Sequence, residues 1–502
     1  MNGSETTRRD FLKLTTGTIL SYPLILDAQA RRLGGRRKPN LLIMQTDEHN
    51  FRTLGCYRGT LVPEQALVWG PDAVVETPNV DWLAEQGALC TRFYATTPVC
   101  SPSRSSFVSG RYPQNTPVVS NNIPMADDTV TFADILGQQG YACGYAGKWH
   151  LDGTGKPQWE PNRRFGFEDN RYMFNRGHWK QLEDTSDGPR VAARDKNDKP
   201  SYSIDGANEL NFTTDFLTDK TIEFIKSHKN ESFCYMVSYP DPHGPNTVRA
   251  PYDEMFNNMN FEKPRTADKP DAGLPSWGKK AKNTISNAAL AKYFGMVKCI
   301  DDNVGRLLDT LRQLKLLDNT IVVFTADHGD LCGEHSRDNK GVPYEASAKI
   351  PFVLYHPAKV PAGTLVHQAL SSVDFLPTVL GLMEIPTAGK EEGRDASTLF
   401  MTGQAPDEWQ DIAFFRGTGS SDKNWLAAVT RRYKVVYSPN DNPWLFDLQT
   451  DPDELINYYQ DPACKDIVRN LAQLILDYGQ RYRDARVEEP SIQAALIAAT
   501  LH

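Results

Sequence analysis

Basic charge is what this sequence has too little of: 55 Lys and Arg stand against 63 Asp and Glu, a formal charge of −8. A general nucleic-acid binder needs a basic face, so this balance argues against that class of function. Long apolar runs are missing as well. The apolar stretch near the N-terminus, Leu14 to Leu26, has thirteen residues, and a membrane-spanning helix needs roughly 20. No later stretch is long and apolar enough either, so stable membrane insertion is not expected. Cysteine is sparse: eight residues, scattered without the paired spacing of a metal site and too few for a disulfide scaffold. An even count permits disulfides in an exported protein, with a connectivity that sequence does not fix. Internal repeats are absent too.

What is present begins with an address. Thr7-Arg8-Arg9-Asp10-Phe11-Leu12-Lys13 fits the twin-arginine export pattern, and Ala28-Gln29-Ala30 supplies small residues for cleavage. Residues 1–30 therefore read as a signal peptide, with a periplasmic or secreted destination. A basic linker, Arg31 to Lys38, follows.

A chain of 502 residues, 40% of them hydrophobic, can bury a large core shared by two packed units. Leu41-Leu42-Ile43-Met44 is a continuous apolar run, and Phe233 to Tyr239, Ile321 to Thr325 and Pro351 to Tyr355 share its character. Such runs suit strands buried on both faces, as in parallel sheets. Helical patterns lie between them. Thr77-Pro78 opens one, with Val80, Leu83 and Ala84 on its apolar face and Gly87 at its end. Val304, Leu307, Leu308, Leu311 and Leu314 form a longer stripe. The alternation predicts an α/β sandwich around a mostly parallel sheet, spanning residues 39–395. Residues 151–210 are polar and aromatic and read as an excursion over one face. Residues 396–502 read as a smaller C-terminal α+β subdomain. Its antiparallel hairpin runs from Tyr433–Tyr437 to Trp444–Leu448, closed by a helix around Ile467 to Tyr482.

Three of the buried runs end in polar residues: Asp47-Glu48, Asp241-Pro242-His243 and Asp327-His328. In open α/β sheets, ligands gather beyond the carboxyl ends of strands. Two carboxylates from one strand end and an Asp-His pair from another suit a divalent metal, and oxygen-rich ligation favours Ca²⁺ or Mg²⁺ over Zn²⁺. Taken singly, each pair is more often a helix cap or a solvated turn. Cys100-Ser101-Pro102-Ser103-Arg104, followed by Gly110-Arg111, reads as a turn entering a helix. A cysteine at a helix N-terminus near an arginine suits a thiolate nucleophile, and equally a buried, inert thiol.

The Cys-x-Pro-x-Arg segment with its downstream Gly110 resembles the sulfatase signature. Gly140-Tyr141-Ala142-Cys143-Gly144-Tyr145-Ala146-Gly147-Lys148-Trp149-His150 resembles the second signature of that family. Asp47, Pro242-His243, Asp327-His328-Gly329 and Lys340-Gly341 before Tyr344-Glu345 follow in the family's order, over roughly residues 39 to 360. The resemblance implies an alkaline-phosphatase-like fold. It also implies that a formylglycine-generating enzyme oxidises Cys100 to formylglycine (3-oxoalanine) while the chain is unfolded. One hydroxyl of the hydrated aldehyde would attack sulfur, and loss of the other's proton would expel sulfate. Asp47, Glu48, Asp327 and His328 would bind the metal together with residue 100, with Ca²⁺ expected first and Mg²⁺ second. Arg104 and Lys148 would hold the oxygens of residue 100. His150 would take the second hydroxyl's proton, while His243 and Lys340 would grip the sulfate and protonate the leaving oxygen. Glu48 departs from the family's more frequent Asp or Gln, which leaves its ligation open. The implied substrate is a sulfated polysaccharide or oligosaccharide, with Arg176, His178 and Trp179 of the excursion as its binding residues. A phosphonate monoester or phosphodiester hydrolase shares the aldehyde nucleophile and is the rival reading. An inactive glycan-binding homologue is disfavoured, because Cys100, Arg104 and His150 are all present.

Overall fold

The computed structural model describes residues 37–268, 273–281, 284–419 and 423–501. The export pattern at Arg8-Arg9, with the rest of residues 1–30, lies outside the described residues. Residues 39–502 form one compact unit. Among the described residues no helix is long and apolar enough to cross a membrane.

Eight strands make the central sheet: β1 (Asn40–Asp47), β2 (Ala88–Cys90), β3 (Ala142–Lys148), β4 (Asp169–Phe174), β5 (Phe233–Pro242), β6 (Thr320–Ala326), β7 (Phe352–Tyr355) and β8 (Thr364–Val366). Their order across the sheet is β8-β2-β7-β6-β1-β5-β3-β4. Only β7 runs against the rest, pairing antiparallel with both β6 and β2. The continuous apolar runs have a simple cause. Successive side chains of a strand point to opposite faces, and both faces are covered. Leu41 and Ile43 enter one hydrophobic cluster, while Leu42 and Met44 enter another. The Pro351–Tyr355 run is apolar for the same reason, although its strand is antiparallel.

Helix α1 (Pro78–Gln86) buries Val80, Leu83 and Ala84. Thr77 precedes it without capping it. Its hydroxyl accepts from the Gly55 N–H at 2.9 Å and donates to Asp81 at 3.1 Å. Helix α2 (Cys100–Ser109) is buried along its whole length. Helix α3 (Asn287–Gln313) carries the predicted stripe at its C-terminal end.

The excursion of residues 151–210 is more than a covering loop. It supplies β4 as an edge strand of the central sheet, and a two-stranded ribbon at Leu182–Thr185 and Gly188–Val191. The C-terminal part is a four-stranded antiparallel sheet of β9 (Ala413–Arg416), β10 (Leu426–Val429), β11 (Tyr433–Ser438) and β12 (Asp441–Asp447). One face packs on helix α4 (Lys465–Tyr482), the other on Tyr94 and Tyr344. All eight cysteines are free thiols.

Candidate active site

Parallel pairing in the order β6-β1-β5-β3 brings four strand ends side by side. Asp327 and His328 follow β6, Asp47 ends β1, His243 follows β5 and Lys148 ends β3. Just before Lys148, Gly147 has φ +100, and a Cβ there would meet the Ser238 carbonyl at 2.0 Å. Only glycine lets β3 approach β5 this closely. Cys100 opens helix α2 over this edge, with its side chain 2% exposed.

Asp47, Cys100, Asp327 and His328 present ligand atoms that all lie within 4.8 Å of one another. His328 Nδ1 lies 3.0 Å from the Gly329 carbonyl, which leaves Nε2 facing inward at 3.2 Å from Cys100 Sγ and 3.5 Å from Asp47 Oδ1. Asp327 Oδ1 accepts from the backbone N–H groups of Glu48 at 3.1 Å and His328 at 2.9 Å. Its Oδ2 accepts from Arg104 Nε at 2.8 Å.

Cations surround these acids. Lys148 Nζ pairs with Asp47 Oδ2 and lies 3.6 Å from Cys100 Sγ. Arg104 is turned to the carboxylates and makes no hydrogen bond to Cys100. Its Nη1 donates to the Lys148 carbonyl and to Ser238, each at 2.7 Å, and its Nη2 lies 3.5 Å from Asp47. Glu48 stands outside the four-donor set. Its Oε2 lies 2.9 Å from His243 Nε2 and 3.0 Å from Lys340 Nζ, and its Oε1 is buried without a hydrogen bond. Its backbone, at φ 62, is held by Tyr293, whose hydroxyl donates to the Glu48 carbonyl at 2.8 Å.

The field of this cluster sets its protonation. Burial and Asp47 raise the Cys100 thiol, but Lys148, Lys340 and His328 outweigh them and hold it well below the thiol range. Burial opposes charge on His328, yet Asp327 and Cys100 push it up to about 9. Burial, then the Asp47 charge, raises Asp327. Glu48 is raised by burial and brought down to about 2 by His243 and Lys340. His150 is pushed down to about 4 by burial, so it stands neutral near pH 7. A dication suits such a site. Two crowded carboxylates and the unpartnered Glu48 oxygen nearby are the hard oxygen donors that Ca²⁺ and Mg²⁺ take, and the inward imidazole nitrogen of His328 is a borderline donor beside them.

A cavity of about 240 Å³ opens above the cluster, lined by Cys100, Lys148, His150, His178, His243 and Lys340, with Asn121, Asn122, Lys156, Arg176, Gly177 and Tyr202 around them. The imidazoles of His178 and His243 stack at 3.5 Å, and Lys148 Nζ lies 2.8 Å from His178 Nε2. The expectation for Trp179 needs correction. It is 3% exposed and does not line the cavity. Gly177, at φ +121, would bring a Cβ within 2.3 Å of the Trp179 ring, so the missing side chain is what lets the indole pack beneath the loop. Tyr202 occupies the wall instead, its ring 4.7 Å from that of Trp179. Asn121, Asn122, Lys156 and Tyr202 escaped sequence reasoning because no motif marks them.

The Sulfatase family model matches residues 39–385, and that of the N-sulphoglucosamine sulphohydrolase C-terminal region matches residues 333–481. The chain belongs to the sulfatase family and is a sulfuric ester hydrolase. The N-acetylglucosamine-6-O-sulfatase of Bacteroides thetaiotaomicron is 25% identical over 90% of this chain and 88% of its own. The ulvan-active sulfatase of Formosa agariphila is 28% identical over 86% of this chain and 80% of its own. The crystal structure of the phosphonate monoester hydrolase of Agrobacterium radiobacter has a TM-score of 0.67 at 22% identity, covering 90% of this chain and 97% of that one. Its likeness establishes the shared alkaline-phosphatase-like fold. Sulfatases of this family generally use formylglycine and a divalent metal.

Proposed function

We propose that this chain removes sulfate from sulfated saccharides, with residue 100 converted to formylglycine and Ca²⁺, or failing that Mg²⁺, as its metal. The observation that carries the reading is the convergence of Asp47, Cys100, Asp327 and His328 at the floor of a cavity whose wall bears lysines and histidines. Two relatives along nearly the whole chain are carbohydrate sulfatases by name, which supports the substrate class.

Asp47, Asp327 and His328 would hold the metal with residue 100, and Glu48 Oε1 is turned to no other partner. Bound there, the ion supplies positive charge where the sulfate oxygens gather. The hydrated aldehyde would supply one hydroxyl to attack sulfur as the S–O bond to the alcohol breaks, and a second whose deprotonation would expel sulfate by C–O cleavage and restore the aldehyde. The side chains divide the remaining work. Arg104 orients Asp327 and, through the Lys148 carbonyl, the end of β3. Lys148, 3.6 Å from Cys100 Sγ, stabilises negative charge on residue 100. Neutral His150 is suited to take the second hydroxyl's proton. His243 and Lys340, 2.7 Å apart, face the leaving oxygen and share the proton it needs. We further propose that the protein works after export by the twin-arginine route, in the periplasm or outside the cell.

The test is a matched pair of aryl esters, one sulfate and one phosphonate, assayed beside Cys100→Ala. Sulfate should be released much faster than phosphonate, and the alanine variant should fold but not turn over. Faster phosphonate hydrolysis would hand the protein to the rival activity.

A further inference from the structure

The chain carries a net charge of −8, yet none of the twelve residues lining the active-site cavity is acidic. Four are cations, and they fall into two pairs. Lys148 and Lys340 lie at the floor, each against a buried carboxylate, Asp47 and Glu48. Lys156 and Arg176 stand on the wall, and neither has a carboxylate partner among the described residues. Four other arginines of the excursion are neutralised, Arg190 by Glu183 among them, and Arg194, which has no such partner among the described residues, does not line the cavity. Arg163 is paired with Asp127 and Asp152, Arg164 with Glu168, and Arg171 with Asp184. A surface lysine is ordinarily explained by solvation alone. Here both cations are held in place. Lys156 Nζ sits 4.8 Å over the Tyr202 ring and 5.3 Å over that of Trp179. Arg176 Nη1 donates to the Thr154 carbonyl at 2.9 Å, and Trp179 Nε1 donates to the Arg176 carbonyl at 3.0 Å. Buried Trp179 is therefore a positioning residue for the wall.

One sulfate group needs only the floor pair and the metal. A second pair of unneutralised cations, fixed beside an aromatic face, is surplus to the scissile group. We infer that Lys156 and Arg176 form a second anion subsite, so that the preferred substrate carries a carboxylate or a second sulfate besides the ester that is cleaved. This rests on the saccharide reading proposed above. Tyr202 would take the apolar face of the sugar ring, while Arg176 offers the fork that carboxylate and sulfate oxygens accept.

Three substrates test it by sulfate release: a neutral monosulfated sugar, the same sugar with a second sulfate, and a monosulfated disaccharide bearing a uronate. Wild type should favour one or both dianionic substrates, chiefly through KM, by about tenfold or more in kcat/KM, as a charged hydrogen bond warrants. The arm that wins names the second anion. In Lys156→Met and Arg176→Met the ratio of kcat/KM for dianionic over neutral substrate should fall towards one. In wild type that ratio should also shrink as salt rises. Equal rates on all three sugars in wild type would overturn the subsite while leaving the saccharide reading intact, as would variants that keep the wild-type ratio. Cleavage of an aryl sulfate with none of the three sugars attacked would overturn the saccharide reading itself.

Discussion

Asp327 shows how much a single side chain carries at this site. One carboxylate oxygen accepts two backbone N–H groups and faces the metal donors, and the other is fixed by Arg104. Asn at this position keeps an oxygen for the N–H groups and loses the charge. Asp327→Asn should therefore fold, bind the divalent ion poorly and lose at least about 100-fold in activity, beyond what a supporting residue costs. Metal analysis beside a chelator titration checks this; full activity in metal-free protein would refute the metal assignment. At this scale, Asp47, Cys100, Lys148, His243 and Lys340 were legible because strand ends and signatures mark them. Lys156 and Tyr202 were not, since their place on the cavity wall depends on how a long excursion folds back. Trp179 misled for a local reason. An aromatic in a polar loop looks like a sugar platform until Gly177 gives it room to sink.

Lys434 ties one element to another. It is fully buried on β11 and reaches Glu345 Oε1 at 2.9 Å and Glu454, joining the C-terminal sheet to the start of the helix Glu345–Ala348. Burial raises the Glu345 carboxyl, but Lys434 and Lys349 bring it down to about 2. Burial lifts Glu454 to about 7 against the pull of Lys434. Lys434→Met strands two buried acids and should cost about 3–5 kcal/mol near neutral pH, measured by denaturant unfolding. Glu345, held low in the wild type, contributes stability above the unfolded value of about 4.3 and loses it as pH falls towards 2. In the variant both acids lose the Lys434 charge, Glu345 keeping only the Lys349 ion pair, so burial should raise them, destabilising at neutral pH and ceasing to do so once they are protonated. The gap between the two proteins should narrow as pH falls from neutral towards about 4.3, where the variant's acids lose their penalty. It should close as pH falls on towards 2, where the wild type loses the Glu345 contribution, whereas a pH-independent gap would point to packing. Elements were legible wherever burial on both faces leaves a continuous apolar run. Strand direction was not, as β7 shows, because direction is set by partners distant in sequence. Nor was β4, whose alternation is hidden among polar residues.

For the molecule as a whole, the address and the chemistry constrain each other. The twin-arginine route carries folded proteins, so on the proposed reading oxidation of Cys100 and metal loading both precede export. Replacing Arg8 and Arg9 by lysine should strand a precursor in the cytoplasm that already contains the aldehyde and cleaves substrate. Mass spectrometry of residue 100 in retained and exported protein decides the order, and an unmodified Cys100 in the retained form would reverse it.

The burial of Cys100 has a further consequence. A thiol at 2% exposure beneath a narrow cavity is out of reach of another protein's active site. On the proposed reading, each molecule would then have one chance at conversion, before its own folding ends the contest. A preparation would be a frozen mixture of winners and losers whose specific activity counts the winners. Adding the oxidising enzyme later would not rescue the rest.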